Sequence, residues 1–272
     1  MNIAETVLNR YKDLDLPSDW EDSIKNGLIG FDPKIIEQKE DPYQYLHEQD
    51  DKLLCLLYAL YKCESFIENG KRLGIEYDIL HETLKELGRH ARNYNRSHSG
   101  EKVGLYQIKW IGKILEGKIY CLGRLEFERA VTQKTWEDHG IFPGDKVLSV
   151  HIPRTNGPLS EDLFEDSFRQ SKVFFAKYFP DFNYKAYVCN SWLLDPTLKT
   201  LLPPESNIIK FQNKFDIVQK TESESGIRIA FDSKATYENV TEYPPKTSLQ
   251  KAMIEHVKKG GRLYSGYGIM KR

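Results

Sequence analysis

The spacing of apolar residues changes near residue 117, and this change limits the possible folds more than any other feature of the sequence. Before it, apolar side chains recur every three or four residues, which is typical of helices with a buried face. After it, short alternating segments are interleaved with helical ones. We therefore predict a helical N-terminal domain over residues 1–116 and a domain over residues 117–272 in which a mixed β-sheet is flanked by helices, an α/β (α+β) arrangement.

The first region contains three strong helical segments. One opens at Asp51 and is apolar on nearly every side over residues 53–67, which predicts a buried central helix. A second is expected to begin with Asp78 as its N-cap. A third is predicted over residues 105–115, with Gly117 as a left-handed stop.

The second region alternates strands and helices. Strands are predicted at residues 123–128, 146–152, 184–194, 227–231 and 264–267, and helices at residues 160–179, 197–202, 207–215 and 248–259. In the first strand, apolar and charged residues alternate, so its glutamates are expected on a solvated face. In the helix at 160–179, Leu163 is expected in the core together with the aromatic residues that follow it.

Composition excludes several functional classes. The 272 residues include 39 Lys and Arg against 40 Asp and Glu, so no overall positive field favours nucleic acid as a partner. The longest apolar run, residues 53–61, is less than half of the roughly 20 residues that span a bilayer, and no signal-peptide pattern opens the chain. We therefore expect a cytoplasmic protein without membrane contact. The four cysteines lack the close spacing of a zinc or redox motif, so no metal is expected.

The loop at residues 151–160 is the first candidate site. Ligands of α/β sheets bind where a strand ends and a helix begins, because the first amides of the helix are unpaired. Arg154 supplies a fixed positive charge and Gly157 allows close backbone approach, which are the features of a pyrophosphate cradle. The alternative is an ordinary turn capped by Ser160, since Glu161 and Asp162 in the first helical turn would repel phosphate.

Four blocks of the second region occur in a recognisable order. They are residues 150–153 with 157–159, residues 174–175 with 178–180, residues 189–194, and residues 206–208 with Phe211 and Phe215. These blocks resemble the C-terminal domain of a bacterial family of GNAT-like acyltransferases, and the strand at 123–127 with the helices before it resembles that family's N-terminal domain. The resemblance implies an acyl-CoA co-substrate and transfer of an acyl group, with acetyl the expected one, to an amine of a small molecule or peptide.

The resemblance also implies that the loop binds the coenzyme. The residues expected to do so are Arg154, Thr155, Asn156, Gly157, Leu159 and Ser160. GNAT phosphate loops carry Arg or Gln, two residues, Gly, one residue, then a small residue, and Leu159 stands in that last place. Either the loop bends differently or the coenzyme binds in a modified way. A GNAT-like fold retained as a binding or scaffolding module is the alternative function.

Acyl transfer to an amine needs a base for the amine and an acid for the leaving thiolate, beside a thioester held between two diverging strands. The strands that end at His151 and Ser191 are the predicted pair. His151 is the first candidate base, Glu126 and Glu128 are the other candidates, and Tyr187 is the candidate acid. The alternatives are a structural histidine, a solvated glutamate and a core tyrosine. Cys189 is interpreted as a small buried hydrophobic residue.

Overall fold

A computed structural model of the protein describes residues 2–154 and 157–272. The chain divides into two compact units between Leu122 and Gly123, close to the predicted change of character near residue 117. No helix in the described part of the chain combines the length and the apolarity that a membrane crossing requires.

The first unit consists of helices followed by one strand. These are α1 (Ile3–Asp13), α2 (Glu21–Gly27), α3 (Pro33–Glu37), α4 (Pro42–Glu48), α5 (Lys52–Arg72), α6 (Tyr77–Ser97), α7 (Ile108–Leu115) and β1 (Ile119–Leu122). Helix α5 is central and contacts α1, α2, α4, α6 and α7. Asp51 caps it by accepting hydrogen bonds from the amides of Leu53 at 2.9 Å and Leu54 at 3.1 Å, as the sequence predicted.

Two helix starts in this unit were predicted wrongly. Helix α6 begins after Glu76, and Asp78 lies inside its first turn, where a negative charge favours the helix through its dipole without capping it. Helix α7 begins at Ile108 and not at residue 105. Its predicted end is confirmed, because Gly117 adopts φ +69° and its amide bonds the carbonyl of Ile114 at 2.7 Å.

The second unit contains the remaining elements. They are β2 (Leu125–Val131), β3 (Lys146–His151), α8 (Glu161–Tyr178), β4 (Ala186–Ser191), α9 (Leu198–Leu201), α10 (Asn207–Gln212), β5 (Asp216–Glu222), α11 (Ser225–Ala230), α12 (Ser248–Lys258) and β6 (Tyr264–Lys271). Its strands form a mixed sheet in the order β2-β3-β4-β6-β5. Strands β3 and β4 are parallel, with α8 as the crossover they need, and the other neighbouring pairs are antiparallel. The predicted fold class is confirmed.

The two faces of this sheet differ in character. On one, here called the α8 face, the rings of Phe127 and Tyr187 pack edge-on against Phe168 of α8, at centroid distances of 5.7 and 5.2 Å. The opposite face is called the histidine face and carries Glu126, Glu128, Ser149 and His151. Side chains alternate between these faces along every strand, so the register between strands decides which residues meet.

Two predictions for this unit were wrong, and one strand was missed. Residues 227–231 lie in and just beyond α11 and not in a strand, because Ile227 is buried in a helical cluster with Val240 and Met253. The strand lies earlier, as β5, whose side chains are mostly exposed and therefore lack an apolar alternation. Leu163 was expected in the core, yet it is 37% exposed on α8.

After β4 the chain crosses β6. The segment Trp192–Leu194 forms a 3-10 turn that packs against Gly266. A Cβ at Gly266 would lie 2.1 Å from the carbonyl oxygen of Leu194. The next residue, Asp195, is buried and accepts a hydrogen bond from the amide of Tyr264 at 2.8 Å. This close packing directs the chain across β6 and away from β3.

We expect Gly266→Ala to lower the free energy of unfolding by about 1–3 kcal/mol or more, because a backbone carbonyl cannot rotate out of the way of the new methyl group. Urea unfolding followed by circular dichroism measures the change. Gly226→Ala in α11 is the matched control, since its Cβ would lie 3.3 Å from the nearest atom, on Trp192, and alanine favours a helix. Equal stability of the two variants would contradict the packing described.

Candidate active site

The candidate site begins where β3 and β4 separate. The two strands pair at Leu148 with Tyr187 and at Ser149 with Val188. Both strands are described completely, and toward their carboxyl ends no residue of β3 after Ser149 pairs with a residue of β4. On their outer sides both strands remain paired to their last residues, His151 with Glu126 of β2 and Ser191 with Gly266 of β6. The sheet therefore has a wedge-shaped gap between the carboxyl ends of its parallel strands, as predicted from the two strand ends.

His151 lies at the edge of this gap on the histidine face. Its Nε2 is 2.9 Å from Oε2 of Glu128, and the side chains are 28% and 12% exposed. When the neutral ring donates its Nε2 proton to this carboxylate, the basic lone pair is on Nδ1. The carboxylate thus fixes the tautomer and the orientation of the ring. His151 is neither packed in the core nor fully solvated, so the structure keeps it as a candidate base.

The glutamates of β2 do not lie on a solvated face, as the alternation suggested. Glu126 is buried, with 2% of its surface exposed, and its Cα is paired with that of His151. Glu128 is opposite Ser149 in the same ladder. Antiparallel pairing with β3 brings both carboxyl groups beside polar side chains. Polar neighbours lower the cost of removing a carboxyl group from water, which explains why the two glutamates can be shielded from solvent. The register of β2 and β3 places Glu126 beside His151, and the catalytic role expected of Glu126 stays a prediction.

Tyr187 lies on the other side of the sheet. Because its Cα partner is Leu148, it shares the α8 face with Phe127, whereas His151 belongs to the histidine face. The side chain is fully buried, and its hydroxyl is 2.9 Å from both Ser171 Oγ and Tyr184 Oη. Burial raises the pKa of this phenol well above its usual range. This arrangement favours the core interpretation, and the structure does not bring Tyr187 together with His151.

The other polar residues of β4 differ in their surroundings. Cys189 is fully buried, and burial raises the pKa of its thiol to about 12, so the thiolate is scarce at neutral pH. Ser191 caps the 3-10 turn by accepting a hydrogen bond from the amide of Leu193 at 3.1 Å. Between them, Asn190 is exposed on the histidine face beside the gap. The polar surface of the gap is thus formed by His151 on one side and Asn190 on the other.

The predicted cradle follows β3 immediately. Of its residues, Thr155 and Asn156 lie outside the described part of the chain. Arg154 is exposed, and Gly157 has φ +80° with nothing within 4 Å of the position of a Cβ, so an ordinary residue would be strained there whatever the space. Ser160 is the N-cap residue of α8 in an extended conformation, and Leu159 is half-buried.

The acidic residues at the start of α8 are already paired. Glu161 Oε2 lies 2.8 Å from Nζ of Lys210, and one turn later Glu165 Oε1 lies 2.6 Å from Nζ of Lys214. Asp162 bonds Ser160, and this hydrogen bond lowers the pKa of its carboxyl group. Because the lysines offset two of the negative charges, the repulsion of phosphate expected from the sequence is reduced. Lys210 and Lys214 were not singled out from the sequence, since only the packing of α10 on α8 brings them here.

A metal site is not formed by the described residues: no group of three or more His, Cys, Asp or Glu side chains converges among them. The chemistry available is that of two carboxyl groups, the buried Glu126 and the half-buried Glu128, together with His151 and the loop that carries Arg154.

Comparison with known proteins finds the same fold in solved acyltransferase structures. An acyltransferase in complex with decanoyl-CoA and teicoplanin is 22% identical, with a TM-score of 0.77 over 98% of this chain and 88% of that chain. An acyltransferase mutant in complex with octanoyl-CoA is 22% identical, with a TM-score of 0.76 over the same shares. An acyltransferase in complex with decanoyl-CoA is 23% identical, with a TM-score of 0.75 over 98% and 87%. No curated protein matches the chain.

These likenesses establish the fold over nearly the whole chain, including its helical unit. The class is that of a GNAT-type α/β fold, in which a parallel strand pair separates beside a loop and helix start. The GNAT-like C-terminal domain family matches residues 119–270, which is more than half of the sequence. The chain belongs to this family, and the resemblance inferred from its residues is confirmed.

The burial of Tyr187 generates a prediction. Tyr187→Phe removes the hydroxyl that contacts Ser171 and Tyr184, so we expect the free energy of unfolding to fall by about 0.5–1.5 kcal/mol. If the residue serves only the core, acyl transfer continues within about threefold of the original rate. A loss of about 100-fold in turnover with unchanged stability would instead make this phenol the acid for the leaving thiolate.

Proposed function

We propose that the protein is an acyl-CoA-dependent N-acyltransferase that transfers an acyl group to an amine of a small molecule or peptide. The single observation that supports this most is the gap between β3 and β4, which opens beyond the pair of Ser149 with Val188 and has His151 at its edge. Membership of the GNAT-like family and the acyl-CoA complexes of the structurally similar acyltransferases support the same reaction. We place the reaction in the cytoplasm.

The donor is held at two places. The pantetheine arm is an extended chain with two amides, and the separated edges of β3 and β4 offer it hydrogen bonds of the kind an added strand makes. The pyrophosphate lies at the start of α8, where backbone amides and the positive end of the helix dipole favour an anion. Arg154, at the edge of this loop, adds a positive charge.

The acceptor approaches from the histidine face, because α8 covers the other side of the sheet. The nitrogen of the neutral amine attacks the thioester carbonyl carbon, and His151 takes the proton that this nitrogen loses as the C–N bond forms. The C–N bond forms as the C–S bond breaks, and the coenzyme leaves as a thiolate. The imidazolium then gives its proton to this sulfur, so protons balance. Glu128 is a positioning residue that holds the ring and stabilises its charged form during the transfer.

The length of the transferred acyl chain is a separate question within this function. Acetyl is the group expected from the sequence resemblance, whereas the structurally similar acyltransferases were solved with decanoyl-CoA and octanoyl-CoA. The acceptor is an amine, and one of those acyltransferases was solved together with teicoplanin. Any test of the donor must therefore span both short and long chains.

The first test of this function is donor binding. We expect coenzyme A and at least one of acetyl-, octanoyl- and decanoyl-CoA to raise the melting temperature by several degrees, because a ligand at 100 times its Kd stabilises the folded state by about 2.7 kcal/mol. Thiol release in the presence of a panel of amines then distinguishes an enzyme from a binding module. If all four compounds leave the melting curve unmoved, the acyltransferase proposal fails.

A second test concerns the base. His151→Gln is expected to reduce kcat by about 10²- to 10⁴-fold while coenzyme affinity changes little, since general-base catalysis contributes on that scale. His256→Gln on α12 is the matched control, because that ring bonds the carbonyl of Arg262 at 3.1 Å outside the site. Steady-state kinetics with saturating acyl-CoA give the comparison. Similar rates for both variants would remove His151 from the mechanism.

A further inference from the structure

We infer that Arg124 is a positioning residue that orients the phosphate loop, and in particular the amide of Leu159, toward the coenzyme pyrophosphate. The observation behind this is a contact between the start of β2 and the loop before α8: Nε of Arg124 donates a hydrogen bond to the carbonyl oxygen of Pro158 at 3.0 Å. The inference rests on the proposed function and adds a residue that touches neither the acyl group nor the amine.

Arg124 is held firmly enough to act as a support. The residue is 6% exposed, which is unusual for an arginine. Its backbone amide donates to Ser167 Oγ at 2.7 Å, and Ser167 in turn donates to the carbonyl of Leu163 within α8. Before it, Gly123 has φ +70°, and a Cβ there would lie 2.9 Å from Ser167 Oγ. The backbone of this arginine is thus fixed to α8 and its side chain to the loop.

The hydrogen bond from Arg124 to the Pro158 carbonyl also determines the direction of the next amide, that of Leu159. In a trans peptide, the carbonyl oxygen of one residue and the N–H of the next point in opposite directions. The bond between Pro158 and Leu159 is trans, since the described chain has no cis peptide bond. With the carbonyl of Pro158 turned toward Arg124, the N–H of Leu159 is turned away from it. No hydrogen bond between described residues uses this amide, so it can donate to an anion.

This arrangement also accounts for Leu159 at a position where GNAT loops have a small residue. A pyrophosphate requires a backbone N–H of the loop that points toward it. Arg124 sets the direction of the Leu159 N–H by holding the carbonyl oxygen of Pro158. Leu159 itself is half-buried. A neutral residue in place of Arg124 would leave the Pro158 carbonyl without this donor, so the peptide could turn and present its oxygen to the phosphates.

The test compares ligands with and without phosphates. We expect Arg124→Met to weaken binding of coenzyme A by about 10- to 100-fold, the scale of one hydrogen bond to a charged group. Binding of pantetheine, which lacks the pyrophosphate, is expected to change by less than about threefold. Arg169→Met is the matched control, because the Arg169 side chain is 76% exposed on α8 and pairs with Asp166 of that helix. Titration calorimetry measures all three proteins with both ligands.

Each other result has a distinct meaning. Unchanged coenzyme A affinity in Arg124→Met, or an equal loss for coenzyme A and pantetheine, would overturn the inference while leaving the proposed function intact. A wild-type protein that binds neither ligand would overturn both. If Arg124→Met does not fold, Arg124→Lys is measured instead: it keeps the charge but not the planar donor, and a smaller loss of about three- to tenfold, again confined to coenzyme A, is expected.

Discussion

The site depends on one constraint: β3 and β4 pair over only two positions, Leu148 with Tyr187 and Ser149 with Val188, and then separate. Each strand stays paired on its outer side, β3 with β2 and β4 with β6, as far as its last residue. Because outer pairing continues where inner pairing stops, the strand ends are held apart. The chain that leaves β4 also packs directly on β6. The carbonyl of Leu194 approaches Gly266 so closely that a residue with a Cβ would not fit there. The gap is therefore a fixed feature of the sheet, into which an extended ligand can be added as a strand.

Local signals in the sequence predicted the long helices α5, α6 and α8, whose apolar residues recur over several turns. Helix α5 and its cap at Asp51 were found because almost every side of that helix is apolar. The failures occurred where tertiary position overrides the pattern. Strand β5 is an edge strand with exposed side chains, so nothing in its composition marks it, whereas Ile227 belongs to a helix that resembles a strand when read alone. Strand β1 is too short, at four residues, for a period to be recognised.

For the site, the sequence predicted the strand ends and the loop, but it did not predict which face of the sheet each candidate side chain occupies. Alternation places His151 and Tyr187 on one face of their own strands, and only the register between Leu148 and Tyr187 shows that those faces are opposite. The pairing of His151 with Glu128 likewise requires the antiparallel register of β2 and β3. The support of the loop by Arg124 joins residues far apart in the chain, so no local spacing could reveal it.

The central claim is that the gap and the loop together hold the donor, and backbone hydrogen exchange tests it most directly. Amide exchange is compared, by mass spectrometry, with and without saturating coenzyme A. Exchange is expected to slow in three segments, residues 150–151, 189–191 and 157–163, because the pantetheine and the pyrophosphate occupy the separated strand edges and the start of α8. Binding of coenzyme A with protection confined to other parts of the chain, such as the exposed edge strand β5, would contradict the account.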